Sequence, residues 1–153
     1  DLFSAEHQLM AGLTKLARAA TNTEVKSLLH GHVLITQHHI NRLELIFENL
    51  AQEVTPGLSK AMRGLLEAGD DFLEETERSV VRDAVIINIA QWVGHYEISG
   101  FSAARRHAIL LNNLRVQSLL TEILIDERET DHRLSKMAER LNNPLGTALN
   151  ALS

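Results

Sequence analysis

Apolar residues recur along this chain at intervals of three and four, the spacing that gathers them on one side of an α-helix. Leu2, Met10, Leu13 and Ala17 share one such stripe, and Val25, Leu28, His32, Ile35, His39, Leu43, Ile46 and Leu50 share a second. Ile86, Ala90, Phe101, Ala104 and Ala108 make a third, and Leu120, Leu124, Leu134, Ala138 and Leu141 a fourth. Helices are therefore expected over about residues 1–20, 22–52, 58–75, 79–111 and 113–141. Thr21 and Glu24 have the spacing of a capping box for the second helix. Pro56 and Gly57 stop that helix, Asn112 and Asn113 form a turn, and Asn142, Asn143 and Pro144 are expected to end the last helix.

Four long helices joined as hairpin, long crossover and hairpin are the plan of a ferritin-like bundle. The expected class is all-α, one domain over residues 1–153, with a fifth, shorter helix in the crossover carrying Met62, Leu65, Leu66, Phe72 and Leu73. Gly64 and Gly69 weaken that short helix.

Acids interrupt three of the four stripes. Glu6 lies on the first, Glu97 on the third, and Glu127 with Asp131 on the fourth, while the second carries His32 and His39. Residues equally far from a hairpin turn lie side by side. Glu6 is about 15 residues before the first turn, which puts its neighbour across the hairpin near Ile35 or Thr36, and Glu97 and Glu127 are about 15 from the second. All four stripes thus bring their unusual residues to one level, with His32 and His39 roughly 5 Å above and below Ile35. Carboxylates are seldom fully buried unless paired or bound to a cation, so the pattern points to a metal site inside the bundle.

Composition narrows the remaining classes. A chain of 153 residues can bury a core without disulfides, and the lack of cysteine removes thiolate metal sites and thiol catalysis. A formal charge of −5, with no basic cluster interleaved with aromatics, argues against nucleic-acid binding; the Arg105, Arg106, His107 run reads as a solvated helix face. No apolar run approaches the roughly 18 residues of a membrane span, and a cytoplasmic location is the default expectation. There is no phosphate loop, dinucleotide fingerprint, zinc-protease motif or nucleophile elbow.

The stretches DLFSAEHQL, TQHHINRLELIFE, AMRGLLEAGDDFLEE, VRDAVIINIAQWVGHYEISGF and ERETDHRLSKMAE resemble the YciF-like branch of the ferritin-like superfamily over nearly the whole chain. The resemblance implies bacterial proteins associated with stress, a dimetal centre, and a homodimer. Matched by position, the metal-site acids are Glu6, Glu97, Glu127 and Asp131. Two departures stand out: relatives commonly carry a run like H-x-E-E-T where this chain has His32, Val33, Leu34, Ile35, Thr36, and often carry Glu where it has Gly94.

A ferritin-type dimetal centre draws a Glu from each of two helices and a Glu-x-x-His pair from each of the other two. The lost carboxylates favour one metal ion or none. The expected ligands are Glu6, His32, His39, Glu97, Glu127 and Asp131, for iron or manganese; nitrogen donors in place of carboxylates also suit zinc. Weak oxidase or peroxide-consuming activity would follow from a redox metal. The competing reading is a non-enzymatic structural or interaction protein, in which acids and histidines satisfy one another without metal.

Overall fold

The computed structural model describes residues 1–55, 57–77 and 80–151, the side chains of residues 80 and 144–151 excepted. Five helices follow in order: α1 (Leu2–Ala19), α2 (Thr23–Asn49), α3 (Lys60–Glu75), α4 (Val80–Leu110) and α5 (Leu114–Ala151). Among the described residues there is no strand. α1 with α2 and α4 with α5 form the two hairpins, α2 also packs on α5, and α3 lies over α1 and α4. The expected helix start at Ser79, the stop at Pro56 and any packing of the tail side chains lie outside the described residues.

The turn between α1 and α2 differs from the expected capping box. Asn22 is the cap, its side chain accepting from the N–H groups of Glu24 at 2.8 Å and Val25 at 3.3 Å. Thr21 instead serves the tertiary structure. Its N–H donates to Asp83 Oδ1 at 2.7 Å and its hydroxyl to Asp83 Oδ2, while the Asn22 N–H reaches Oδ2 at 3.0 Å. A capping box is a local pattern, and a buried carboxylate 62 positions away in sequence outcompeted it. At the second turn Asn112 takes φ 52°, which asparagine tolerates, and Asn113 Oδ1 accepts from the Val116 N–H at 3.1 Å.

The last helix runs ten residues beyond its expected end near 141, through Asn142, Asn143 and Pro144 to Ala151. Asparagine costs a helix only a few tenths of a kcal/mol, whereas a proline inside one loses a hydrogen bond and costs about 3 kcal/mol, so the helix continues here against its strongest local stop signal. The crossover helix behaves differently from its glycine content too. A Cβ on Gly69 would fall 2.8 Å from Ile89 Cγ2, so the missing side chain lets α3 lie close on α4. That cover buries Ile89 and Met62, and explains why α4 is apolar around much of its circumference.

The core is divided in two. Leu9, Leu13, Leu29, Ile86, Ala90, Val93, Leu134 and Met137 form one apolar cluster; Leu43, Ile46, Phe101, Leu119, Leu120 and Ile123 form the other. Along every long helix the residues between the clusters are polar: Glu6 on α1, His32, Thr36 and His39 on α2, Glu97 on α4, Glu127 on α5. All six are at most 1% exposed.

Asp83 is itself buried, so removing its carboxylate leaves two backbone N–H groups at the first turn without acceptors. Asp83→Ala is expected to destabilise the protein by roughly 2–4 kcal/mol, read as a lower urea midpoint. An unchanged midpoint would show that this carboxylate does not pin the hairpin.

Candidate metal centre

Each residue of the polar layer is placed by its own helix. Glu6 lies between Leu2 and Leu9 on α1, and Glu97 between Val93 and Phe101, one turn from each. Glu127 lies one turn after Leu124 on α5. The expected common depth is therefore present, and five of the six candidate ligands, Glu6, His32, His39, Glu97 and Glu127, come together.

Asp131 does not join them. Its side chain is partly exposed and faces the outer side of α4, with Oδ1 3.0 Å from His95 Nε2 and 3.4 Å from Gln91 Nε2. Four residues turn a helix about 40° past a full circle, enough here to carry position 131 off the inner face. The residue on the inner side of that turn is Thr130, 3% exposed. Position 35 is corrected likewise. Ile35 sits on the flank of α2 toward Thr130 and Arg133, and Thr36, 0% exposed, occupies the level assigned to it. The buried face of α2 centres on Leu29, His32, Thr36 and Ile40, so Leu28, Ile35 and Leu50 lie toward its edges.

With these corrections the Glu-x-x-His spacing becomes visible. Thr36 and His39 are one such pair and Glu127 and Thr130 the other, each retaining one of its two ligands. Gly94 also faces the layer, since a Cβ there would lie 3.8 Å from Glu127 Oε2. Of the positions where the family pattern carries an acid, Leu34 is 66% exposed, Ile35 lies on the flank of α2 and Gly94 faces the layer, so Gly94 is the one that leaves a gap there. The hydroxyl of Thr36 adds no ligand to the layer, because it donates to the His32 carbonyl at 2.9 Å.

The geometry fits an ion. One ligand atom from each of His32, Glu97 and Glu127 lies within 4.8 Å of the others. Ligands on opposite sides of an ion with bonds of about 2.1 Å are about 4.2 Å apart, so the group closes with shifts below 1 Å. His39 Nδ1 is 3.3 Å from Glu127 Oε1 and 3.6 Å from Glu6 Oε1, and His32 Nε2 is 3.8 Å from Glu127 Oε1. None of the side-chain nitrogens or oxygens of these five residues has a hydrogen-bond partner, two on each residue. Buried polar groups are normally satisfied, and such a concentration in one layer is what a bound cation would relieve.

Asp126, which sequence reasoning missed, holds His39 from outside. Its Oδ2 is 3.4 Å from His39 Nε2 and accepts from Arg42 Nη1 at 2.7 Å. Asp126 thus stands against the outer nitrogen of the ring, the place from which a carboxylate orients a metal-binding imidazole. The available signal was its place beside Glu127, one step round the helix toward α2.

Burial, followed by the charges of Glu6 and Glu127, holds the Glu97 carboxyl well above the ordinary value of 4.5. Burial pushes His39 down, but the close Glu6 carboxylate and the charges of Glu127 and Asp126 outweigh this and raise it above 6.5. The layer therefore retains protons that the unfolded chain would release.

A family model described as "Domain of unknown function (DUF892)" matches residues 1–144. The chain belongs to the DUF892 family. Among its relatives in that family, Protein YciF of Escherichia coli (strain K12) is 36% identical over 144 residues, spanning 94% of this chain and 86% of that protein. The crystal structure of the E. coli stress protein YciF superposes with a TM-score of 0.90 at 35% identity, covering 94% of this chain and 91% of that one. YcfI from Rhodopseudomonas palustris, provisionally described as a structural protein, gives a TM-score of 0.85 at 31% identity over 88% of this chain and 86% of its own. These similarities bear out the all-α, ferritin-like class expected from the helical stripes. No helix among the described residues is long and apolar enough to cross a membrane.

The proton balance fixes a pH dependence for the metal-free protein. Glu97 binds a proton more tightly folded than unfolded, so its contribution declines as pH rises above the ordinary carboxylate range. His39, also raised, stabilises below 6.5 and loses that contribution as pH climbs through its folded value. Both act in one direction. With a chelator present, the melting temperature should fall from about pH 5 to about pH 8, and Glu97→Gln should remove much of the slope. A flat profile for the unaltered protein would contradict the arrangement.

Proposed function

We propose that this protein holds a single divalent metal ion, iron or manganese, within its helical bundle, with Glu6, His32, His39, Glu97 and Glu127 as the ligand set. The observation that carries the reading is the layer of five buried, ionisable side chains whose nitrogens and oxygens all lack hydrogen-bond partners. Charge decides the number of ions. Three carboxylates carry −3, so one divalent ion with one retained proton gives neutrality, whereas two divalent ions would leave a net positive charge in a buried site. Leu34, Ile35 and Gly94, standing where relatives carry acids, point the same way, since two cations need bridging anions.

A mixed oxygen and nitrogen donor set suits iron, manganese or zinc, and a redox-active ion would supply electron exchange with oxygen species. The protein's own contribution is to exclude water, hold the acids at one depth and orient His39 through Asp126. The similarity to a protein named as a stress protein supports a place in bacterial stress physiology, with weak oxidase or peroxide-consuming activity. Loss of the carboxylates, together with the structural description of YcfI, favours as a second reading a bundle retained for its shape alone.

Metal analysis of protein purified without chelator separates the two. The expected result is about one iron or manganese per chain, a higher melting temperature with metal than without, and loss of both on Glu127→Ala while helical circular dichroism persists. Zinc at one per chain would keep the site but remove the redox chemistry. Absence of metal after incubation with all three ions would leave the structural reading.

We further propose a homodimer through the face where α3 meets α4. Phe72 and Trp92 are 47% and 40% exposed, their rings packed edge to face at 5.7 Å, with Val81 also half exposed. C2 pairing is the commonest way to cover such a face. Sedimentation at on the order of tens of micromolar should show a dimer, and Phe72→Glu with Trp92→Glu a folded monomer. A monomeric unaltered protein would overturn this assignment.

A further inference from the structure

A small cavity opens between α2 and α5 beside the metal-site histidine. Gly31, His32, Ile35, Thr130 and Arg133 are among the residues that line it, and its volume is ≈ 60 Å³. That exceeds the roughly 10–15 Å³ that one water requires and is far below the ~300 Å³ of ordinary small-molecule sites. Its size thus limits an occupant to a few heavy atoms.

Two unpartnered polar groups stand on this wall. Thr130 Oγ1 is buried, its residue 3% exposed, and has no hydrogen-bond partner. His32 also lines the cavity, its Nε2 3.8 Å from Glu127 Oε1 and both its ring nitrogens buried and unpartnered. A threonine on a helix ordinarily returns its hydroxyl to the carbonyl one turn back, as Thr36 does. Thr130 does not. Arg133 stands at the rim with its guanidinium paired to Glu129, so the rim carries no unpaired carboxylate to draw a metal ion. Gly31 keeps the entrance wide, since a Cβ built there meets nothing within 4 Å.

We propose that this cavity binds a small ligand of the peroxide class, two or three heavy atoms with both lone pairs and a negative or neutral charge, and delivers it to the His32 side of the metal centre. Thr130 donates to the ligand and is a positioning residue. The inference rests on the metal-binding reading, and adds to it the route and the ligand class.

The test uses the full chain loaded with cobalt(II), whose visible bands report the ligand sphere, and azide as the probe. Cobalt stoichiometry is measured first. Absence of cobalt binding would remove the metal reading and this proposal with it. With cobalt bound, azide should shift the bands. Gly31→Leu, placed where the structure has open space, should slow the azide association rate at least tenfold while leaving cobalt stoichiometry and the azide-free spectrum unchanged. Thr130→Val should weaken azide affinity at least fivefold with the same cobalt content, and Thr130→Ser should restore it. If azide leaves the bands unmoved, or acts on both variants as on the unaltered protein, the cavity holds only water and the proposal is wrong.

Discussion

Three carboxylates and two imidazoles occupy a single cross-section of this bundle, each at most 1% exposed, and the surrounding architecture can be understood as the means of keeping them there. An isolated buried carboxylate costs several kcal/mol even after relaxation, so a chain carrying three must compensate with protons, partners or a cation. The protons retained by Glu97 and His39 are one visible form of that compensation. A metal ion would be a more complete one, because it satisfies several lone pairs at once and binds only the folded state.

The two apolar clusters on either side supply what the polar layer cannot. Leu9, Leu13, Leu29 and Ile86 on one side and Phe101, Leu120 and Ile123 on the other fix the four helices above and below the layer. This leaves the acids little freedom to move apart toward water. The crossover helix completes the enclosure by covering α4, with Gly69 allowing close approach to Ile89. The network of Arg42, Glu122, Asp126 and His39 then ties the outer surface of the hairpins to the centre. A change at the half-buried Arg42 is connected to the inner imidazole through one carboxylate.

The donor set differs from the full ferritin-type pattern in a regular way. At Glu-x-x-His spacing each of two helices offers one ligand, His39 on α2 and Glu127 on α5, with threonine at the other position of each pair. The two threonines are not equivalent, since Thr36 spends its hydroxyl on its own helix while Thr130 has no partner. Thr36 is a packing residue, whereas Thr130 is chemically available beside a cavity. His32, one turn before Thr36, supplies a nitrogen that partly offsets the missing carboxylate.

Much of this was legible in the residues themselves. Helical periodicity marked the stripes because burial recurs every three to four residues, and equal distances from the turns placed Glu6, Glu97 and Glu127 at one depth because every residue of a helix advances the same 1.5 Å. Rotation about the helix axis was harder to read. A stripe about 100° wide leaves its edges ambiguous, which is why Ile35 and Asp131 were expected inside while Thr36 and Thr130 are the residues that point there. Capping at Thr21 and the fate of Asp126 were settled by partners 62 and 84 positions away in sequence, and no local pattern contains them. Sequence alone thus determined which helices form and at what level their acids meet. The tertiary structure decided which side chain on each turn faces the centre, because only the packing of neighbouring helices fixes the rotation of each one.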